Sequence, residues 1–190
     1  MRKVIALMHV SLDGFAAGPN GEMDFIHMDD EIFKDVEQQL ADVDTAIYGP
    51  ITYHMMASYW PTVPSNPNAT RHDRAHSAWV EKVDKIVFSK KLDKVEWNNT
   101  RLVRTDLAEE IARLKALPGQ NLMIFGSPRL AHSFMQLGLV DEYRLTLQPV
   151  IAGAGIPFFS PLKAPDRLRL VSSKPYSSGV IGVVYETIRG

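Results

Sequence analysis

Four apolar runs in this chain each stop at a short turn signal, and that repetition restricts the fold more than any other feature. The runs end at Asp13-Gly14, Gly49-Pro50, Ser89-Lys90 and Gly126-Ser127. Residues 3–12, "TAIYG" (45–49), "KIVFS" (85–89) and "NLMIFG" (121–126) read as strands covered on both faces. Helical patterns lie between them. "MDDEIFKDVEQQLADVD" sets Ile32, Val36, Leu40 and Val43 at helical spacing, with acids in a first turn where the helix dipole favours them. "PITYHMMASYW" opens with Pro50, tolerated at a first helical position. A short helix is expected over 72–82. A helix over 106–117 has Asp106 as N-cap and Pro118-Gly119 as its stop, and one over 127–138 is capped by Ser127 and ends at Gly138.

Residues 13–24 read as loop, and residues 61–76, with three prolines and little apolar pattern, as a long surface loop. A weaker strand is expected over 100–104. From residue 141 the pattern changes to strands only: 141–153, then 166–174 and 180–188 joined like a hairpin. Alternation followed by strands predicts one α/β domain over 1–190, its sheet mostly parallel with antiparallel strands at the C-terminal edge. In such a sheet ligands bind beyond the carboxyl ends of the parallel strands, so the four turn signals mark the expected site.

Composition removes several classes of function. Lys plus Arg is 21 and Asp plus Glu is 22, a net charge of −1, which gives no electrostatic case for nucleic acid or an anionic membrane. No apolar stretch approaches the roughly 20 residues of a membrane span. There is no cysteine, which fits a cytoplasmic protein and removes thiol chemistry. The basic start and short apolar run of "MRKVIALMHVSLDG" resemble a signal peptide weakly, since His9 breaks the run and no small-residue cleavage site follows.

Three strand ends have anion-binding character. Gly126-Ser127-Pro128 and Gly49-Pro50-Ile51-Thr52 each open a helix, where free N–H groups and the dipole face outward. Ser89, Lys90 and Lys91 offer a hydroxyl and two cations. One phosphate-bearing ligand spanning all three is the reading that unites them; ordinary helix capping explains each alone. "GAG" at 153–155 is followed by "IPFF" rather than a helix and is rejected as a dinucleotide loop. His72 and His76 have metal-ligand spacing but no third ligand, and read as residues of a solvated loop. His9 reads as a satisfied core histidine, and Met55 and Met56 as core filler.

The stretches "HVSLDGFAAG", "AIYGPITYHMM", "KIVFSKKL" and "LMIFGSPRLAHSFMQLGLVDEYRLTLQPVIAGAGIPFF" stand in the order and spacing of the dihydrofolate reductase-like superfamily. The chain resembles most the reductase domain of bifunctional riboflavin-biosynthesis deaminase/reductases and their stand-alone bacterial relatives. The resemblance covers the whole chain and is most specific over 121–159. It implies NADPH lying across the strand ends, with Gly126, Ser127 and Leu130 at the pyrophosphate. Gly49 and Thr52 match a Gly-Arg-x-Thr motif at the phosphates, and Ser89 and Lys90 a strand end at the 2′-phosphate. The loop from Asp13 to Gly18, with Gly14 and Ala17, matches the cover of the nicotinamide. One position departs: Pro50 stands where the motif has Arg, so bidentate pairing with a 2′-phosphate is lost there, with Lys90 or Lys91 as substitute point charges.

The implied activity is hydride transfer from NADPH to a small heterocyclic or carbonyl substrate, of the 5-amino-6-(5-phosphoribosylamino)uracil reductase kind. Arg71 and Arg74 are loose candidates for a substrate phosphate. Asp30, or Asp29 in the neighbouring register, matches the helix acid of dihydrofolate reductases, and both also suit helix capping. Asp13 reads either as the former of an Asx turn or as an active-site carboxylate. A non-catalytic nucleotide-binding or small-molecule-binding dimer is the alternative. The apolar "VIGVVYETI" leads to the expectation of a homodimer.

Overall fold

The computed structural model describes residues 1–159, 162 and 164–189. β1 (Val4–Ser11), β3 (Val43–Tyr48), β4 (Asp84–Phe88), β5 (Thr100–Val103), β6 (Asn121–Phe125), β7 (Glu142–Gln148), β9 (Leu168–Pro175) and β10 (Ile181–Thr187) form one sheet in the order β5-β4-β3-β6-β1-β7-β10-β9. All neighbours from β5 to β7 are parallel, and β10 and β9 add antiparallel. The expected architecture is therefore present. The four turn signals belong to β4, β3, β6 and β1, consecutive parallel strands, so their carboxyl ends line one edge in a row.

Alternation along β1 explains how both faces are filled. Val4, Ala6, Met8 and Val10 join a core with Ile111 and Leu114 of α4 (Leu107–Ala116) and Phe134 of α5 (Pro128–Gln136). Ile5 and Leu7 face the opposite core, with Tyr53 of α2 (Pro50–Tyr59), Val80 of α3 (Arg71–Lys82) and Leu40 of α1 (Asp30–Leu40). Burial of each Val, Leu or Ile side chain contributes roughly 1.5–3 kcal/mol, so the two apolar faces hold both helix layers.

Several expectations are corrected. The first helix stops at Leu40, and Val43 opens β3, because its buried position in the sheet outweighs its helical spacing. Residues 13–24 hold a short strand, β2 (Phe15–Ala17), paired with β8 (Ile156–Pro157). Residues 61–76 are not a long loop: a 3-10 helix spans Trp60–Ser65, with Val63 fully buried, and α3 starts at Arg71. Prolines at 61 and 64 fit the tight helix because their φ is already near its value. Thr70 and Asp73 form a capping box, a polar signal inside a stretch that otherwise read as loop. His76 accordingly packs among Trp60, Trp79 and Phe125, and His72 stacks on Phe33. Neither is in a solvated loop. Among the described residues no group of His, Cys, Asp and Glu is arranged for a metal. Arg74 donates to the Asn66 carbonyl at 2.9 Å and so holds the turn before α3. Met56 packs on the core as expected, whereas Met55 is exposed.

The strand expected over 141–153 ends at Gln148, and 149–155 is a loop between β7 and β8. No helix is long and apolar enough to cross a membrane.

Candidate active site

The ends of β3 and β6 interlock through one serine. Gly126 (φ 53°) and Ser127 (φ 54°) are successive left-handed residues. For glycine this conformation is free; for serine it is uncommon and costs on the order of 1 kcal/mol. It turns the Ser127 hydroxyl away from its own helix, so the expected side-chain cap of α5 is not formed. Instead Ser127 Oγ accepts the Gly49 N–H at 3.0 Å. Backbone held in a strained region by its surroundings is characteristic of ligand sites. The two helix starts, α2 and α5, thereby lie side by side.

A pocket of about 350 Å³ opens between them. Gly49, Thr52, Ser127 and Leu130, four of the expected cofactor residues, line it with Phe88 and Ile156. Gly126 adjoins it, since a Cβ there would lie 3.6 Å from Thr52 Cγ2. Arg129 is the only charged residue on the wall among the described residues. The polar groups on the wall are the Thr52, Ser127 and Ser133 hydroxyls and the Arg129 guanidinium, set beside two helix starts whose first residues, Pro50 and Pro128, carry no N–H. Ser89 and Lys90 sit at the adjacent end of β4 but outside this wall; Ser89 Oγ accepts the Leu92 N–H at 3.1 Å, and Lys90 is exposed.

The end of β1 is built differently. Asp13 Oδ1 accepts the Ser11 hydroxyl at 2.6 Å and the Ala152 N–H at 3.0 Å, and Oδ2 the Gly153 N–H at 2.8 Å. The Ser11 hydroxyl, then the Ala152 and Gly153 amides, hold the carboxyl down to about 2, well below its usual range. The Gly-Ala-Gly stretch rejected as a nucleotide loop thus supplies, at Gly153, one of the backbone donors that fix Asp13, and Ala152 just before it supplies the other. Close by, Gly155 has φ 154°, and a Cβ there would lie 2.1 Å from the Ala17 carbonyl oxygen. Only glycine lets the 13–18 cover, including Gly14 and Ala17, lie against this loop. Phe158 N–H donates to the Gly14 carbonyl at 2.8 Å and closes the contact.

At the start of α1 the two acids divide. Asp29 is the N-cap and accepts the Ile32 N–H at 2.9 Å. Asp30 is 98% exposed, with its carboxylate 3.4 Å from His72 Nε2. A different set of polar side chains occupies the sheet nearby. His9 Nδ1 lies 2.5 Å from Thr146 Oγ1, Gln148 Nε2 donates to the same oxygen at 3.2 Å, and Gln148 Oε1 accepts the His27 N–H at 2.9 Å. Thr146 and Gln148 escaped the sequence reading because they sit in β7, distant in the chain and unremarkable as strand residues. The interruption of an apolar strand by His9 was the one available signal.

A mostly parallel sheet with an antiparallel end and a ligand edge at four consecutive strand ends defines a dihydrofolate reductase-like α/β protein. The chain belongs to the RibD C-terminal domain family, whose model matches residues 2–182. It is 34% identical over 187 residues to the uncharacterized protein YyaP of Bacillus subtilis (strain 168), covering 97% of this chain and 94% of that one. The fold matches a putative riboflavin biosynthesis protein from Shewanella sp. PV-4 with TM-score 0.75 at 22% identity, over 98% of this chain and 99% of that one. It also matches dihydrofolate reductase from Enterococcus faecalis complexed with NADP(H), with TM-score 0.64 at 13% identity, over 98% of this chain and 97% of that one.

Proposed function

We propose that this protein is an NADPH-dependent reductase of a small heterocyclic or carbonyl compound. Family membership supports the reductase class. The observation that carries the cofactor reading is the Ser127–Gly49 lock, which holds two helix starts around one pocket. In this reading the positive end of the α5 dipole, Thr52 and the close approach at Gly126 meet the diphosphate, Leu130 and Phe88 flank the adenosine, and Arg129 meets the 2′-phosphate that Pro50 cannot pair with. Lys90 adds long-range attraction from the neighbouring strand end. Bound NADPH supplies a hydride; the chain positions the acceptor and excludes water. Asp13, ionised throughout the neutral range, orients the 13–18 cover over the nicotinamide rather than giving up a proton.

The substrate is of the pyrimidine-reductase kind, and the protein works in the cytoplasm as a homodimer. Support for a dimer lies in β9, the last strand of the sheet order, whose Leu170 and Val171 are 51% and 54% exposed. Light scattering after size exclusion tests it, and a monomer would contradict it.

The cofactor reading is tested by NADPH and NADH fluorescence titrations of wild type, Arg129→Ala and Lys90→Ala. Wild type should prefer NADPH by at least tenfold, and Arg129→Ala should remove most of that preference. No binding of either nucleotide at tens of micromolar refutes the cofactor reading; equal affinities remove the 2′-phosphate roles of both cations.

A further inference from the structure

The His9 side chain has one edge engaged by the protein and one edge free, and the hydrogen bonds decide which carries the proton. Gln148 is oriented by a backbone amide: the His27 N–H can only donate, so the atom facing it is Oε1. Its other end, Nε2, therefore donates to Thr146 Oγ1. The Thr146 oxygen has room to accept from both neighbours, but among the described residues its own buried proton has no hydrogen-bond acceptor other than His9 Nδ1, so assigning it there leaves no donor unpaired. The neutral imidazole is left with its proton on Nε2. Burial pushes the His9 pKa down to about 4, so the ring is uncharged near neutral pH.

The position of the ring gives this tautomer a use. β1 pairs with β6 only as far as Leu7–Phe125, and β3 stops at Tyr48. β1 and β7 run on together to Ser11 and Gln148. They project past their neighbours, and His9 stands on the projecting part, on the face it shares with Ile5 and Leu7. Ser11 and Gln148 are fully buried and Thr146 nearly so, while His9 keeps partial exposure. No described residue hydrogen-bonds to Nε2.

We propose that His9 Nε2–H is the hydrogen-bond donor that holds and polarises the substrate, with Thr146 and Gln148 as positioning residues that fix its tautomer. The proposal rests on the reductase reading and narrows its substrate. A neutral N–H donor selects an uncharged acceptor: a carbonyl oxygen or unprotonated ring nitrogen conjugated to the carbon that receives hydride. As hydride adds to that carbon, the π pair moves onto the heteroatom facing Nε2–H. A neutral imidazole can polarise such a group without transferring its proton. The proton that completes the reduction comes from water, since Thr146 and Gln148 have none to pass on. Asp29, the N-cap of α1, and Asp30, 98% exposed beside His72, are not required as acids.

The test uses histidine-selective ¹⁵N labelling of the full chain at pH 7.5, with and without saturating NADP⁺. His9 should show a protonated Nε2 and an unprotonated Nδ1. Thr146→Val, close in shape but without the hydroxyl, should leave the chain folded and populate both tautomers. Titration with uracil, a small neutral ring with carbonyl acceptors, should shift the His9 Nε2–H resonance at millimolar concentration in wild type, and less in Thr146→Val. A protonated Nδ1, or no shift at Nε2 with uracil, overturns the proposal. A NADP⁺ titration run in parallel separates failure of the cofactor reading, because the tautomer is read in the free protein as well.

Discussion

The two ends of the ligand edge are made of different materials. At β3 and β6 the site consists of backbone and small side chains: Gly49, Gly126, Ser127, Thr52 and the starts of two helices. At β1 and β7 it is a chain of side chains, Ser11–Asp13 on one side and His9–Thr146–Gln148 on the other. The first end presents two helix starts, proposed above to meet an anion. The second presents a hydrogen-bonded histidine and an ionised clamp. A phosphate needs only charge and geometry, which any backbone can supply at a helix start. Recognition of a reacting group depends on particular donors, which requires side chains.

The largest expected effect separates the two ends by pH. His9 and His76 have folded pKa values of about 4 against an ordinary 6.5, both chiefly through burial. Above pH 6.5 they are neutral in both states and contribute no pH dependence. Below it the unfolded chain takes up protons first, so stability falls by about 1.4 kcal/mol per pH unit per histidine until about pH 4. His9→Gln should lower the slope of urea-derived stability against pH by about 1.4 kcal/mol per pH unit between about pH 6 and 5, above the range where the carboxylates titrate. An unchanged slope breaks the assignment of a buried neutral His9.

Next is Gly155→Ala. A Cβ 2.1 Å from the Ala17 carbonyl oxygen, at φ 154°, forces the cover off its loop. A loss of about 3 kcal/mol or more is expected in denaturant melts. A loss under 1 kcal/mol would show that the cover does not depend on this contact.

Ser127→Ala removes the acceptor of the Gly49 amide and should cost about 1–3 kcal/mol. NADPH affinity should weaken about tenfold, by roughly 1.4 kcal/mol, through loosening of the two helix starts. Unchanged affinity would mean that the lock serves folding alone.

The smallest effect is that of Asp13→Asn. Two of its three hydrogen bonds come from backbone amides, and an amide side chain can accept only one set of them. A few-fold rise in KM for NADPH is expected, with the pH profile of kcat unmoved. A profile that loses an ionisation would make Asp13 a proton-transfer group after all.

The backbone end was the legible one. Gly126-Ser127-Pro128 and Gly49-Pro50 announce turns into helices, and strand periodicity placed both at the same edge. The detail of Ser127 was not legible: a serine before a helix reads as a cap, and only the neighbouring strand end offers it the Gly49 amide instead. Asp13 showed its position but not its partners, because Ala152 and Gly153 approach it across the sheet. Val43 and the 61–76 stretch misled because local pattern competes with burial, and burial in the sheet or under α3 prevailed.

The order of strands and helices, the small-residue turns and the lack of any strong net charge were determined by sequence, since each depends on neighbours in the chain. Tertiary structure alone decided which turn faces which, that Asp13 is held by a glycine loop, and that His9 Nδ1 meets Thr146. The reason is physical: those outcomes depend on hydrogen bonds between the ends of β3 and β6 and between β1 and the β7 region, brought side by side only when the sheet forms.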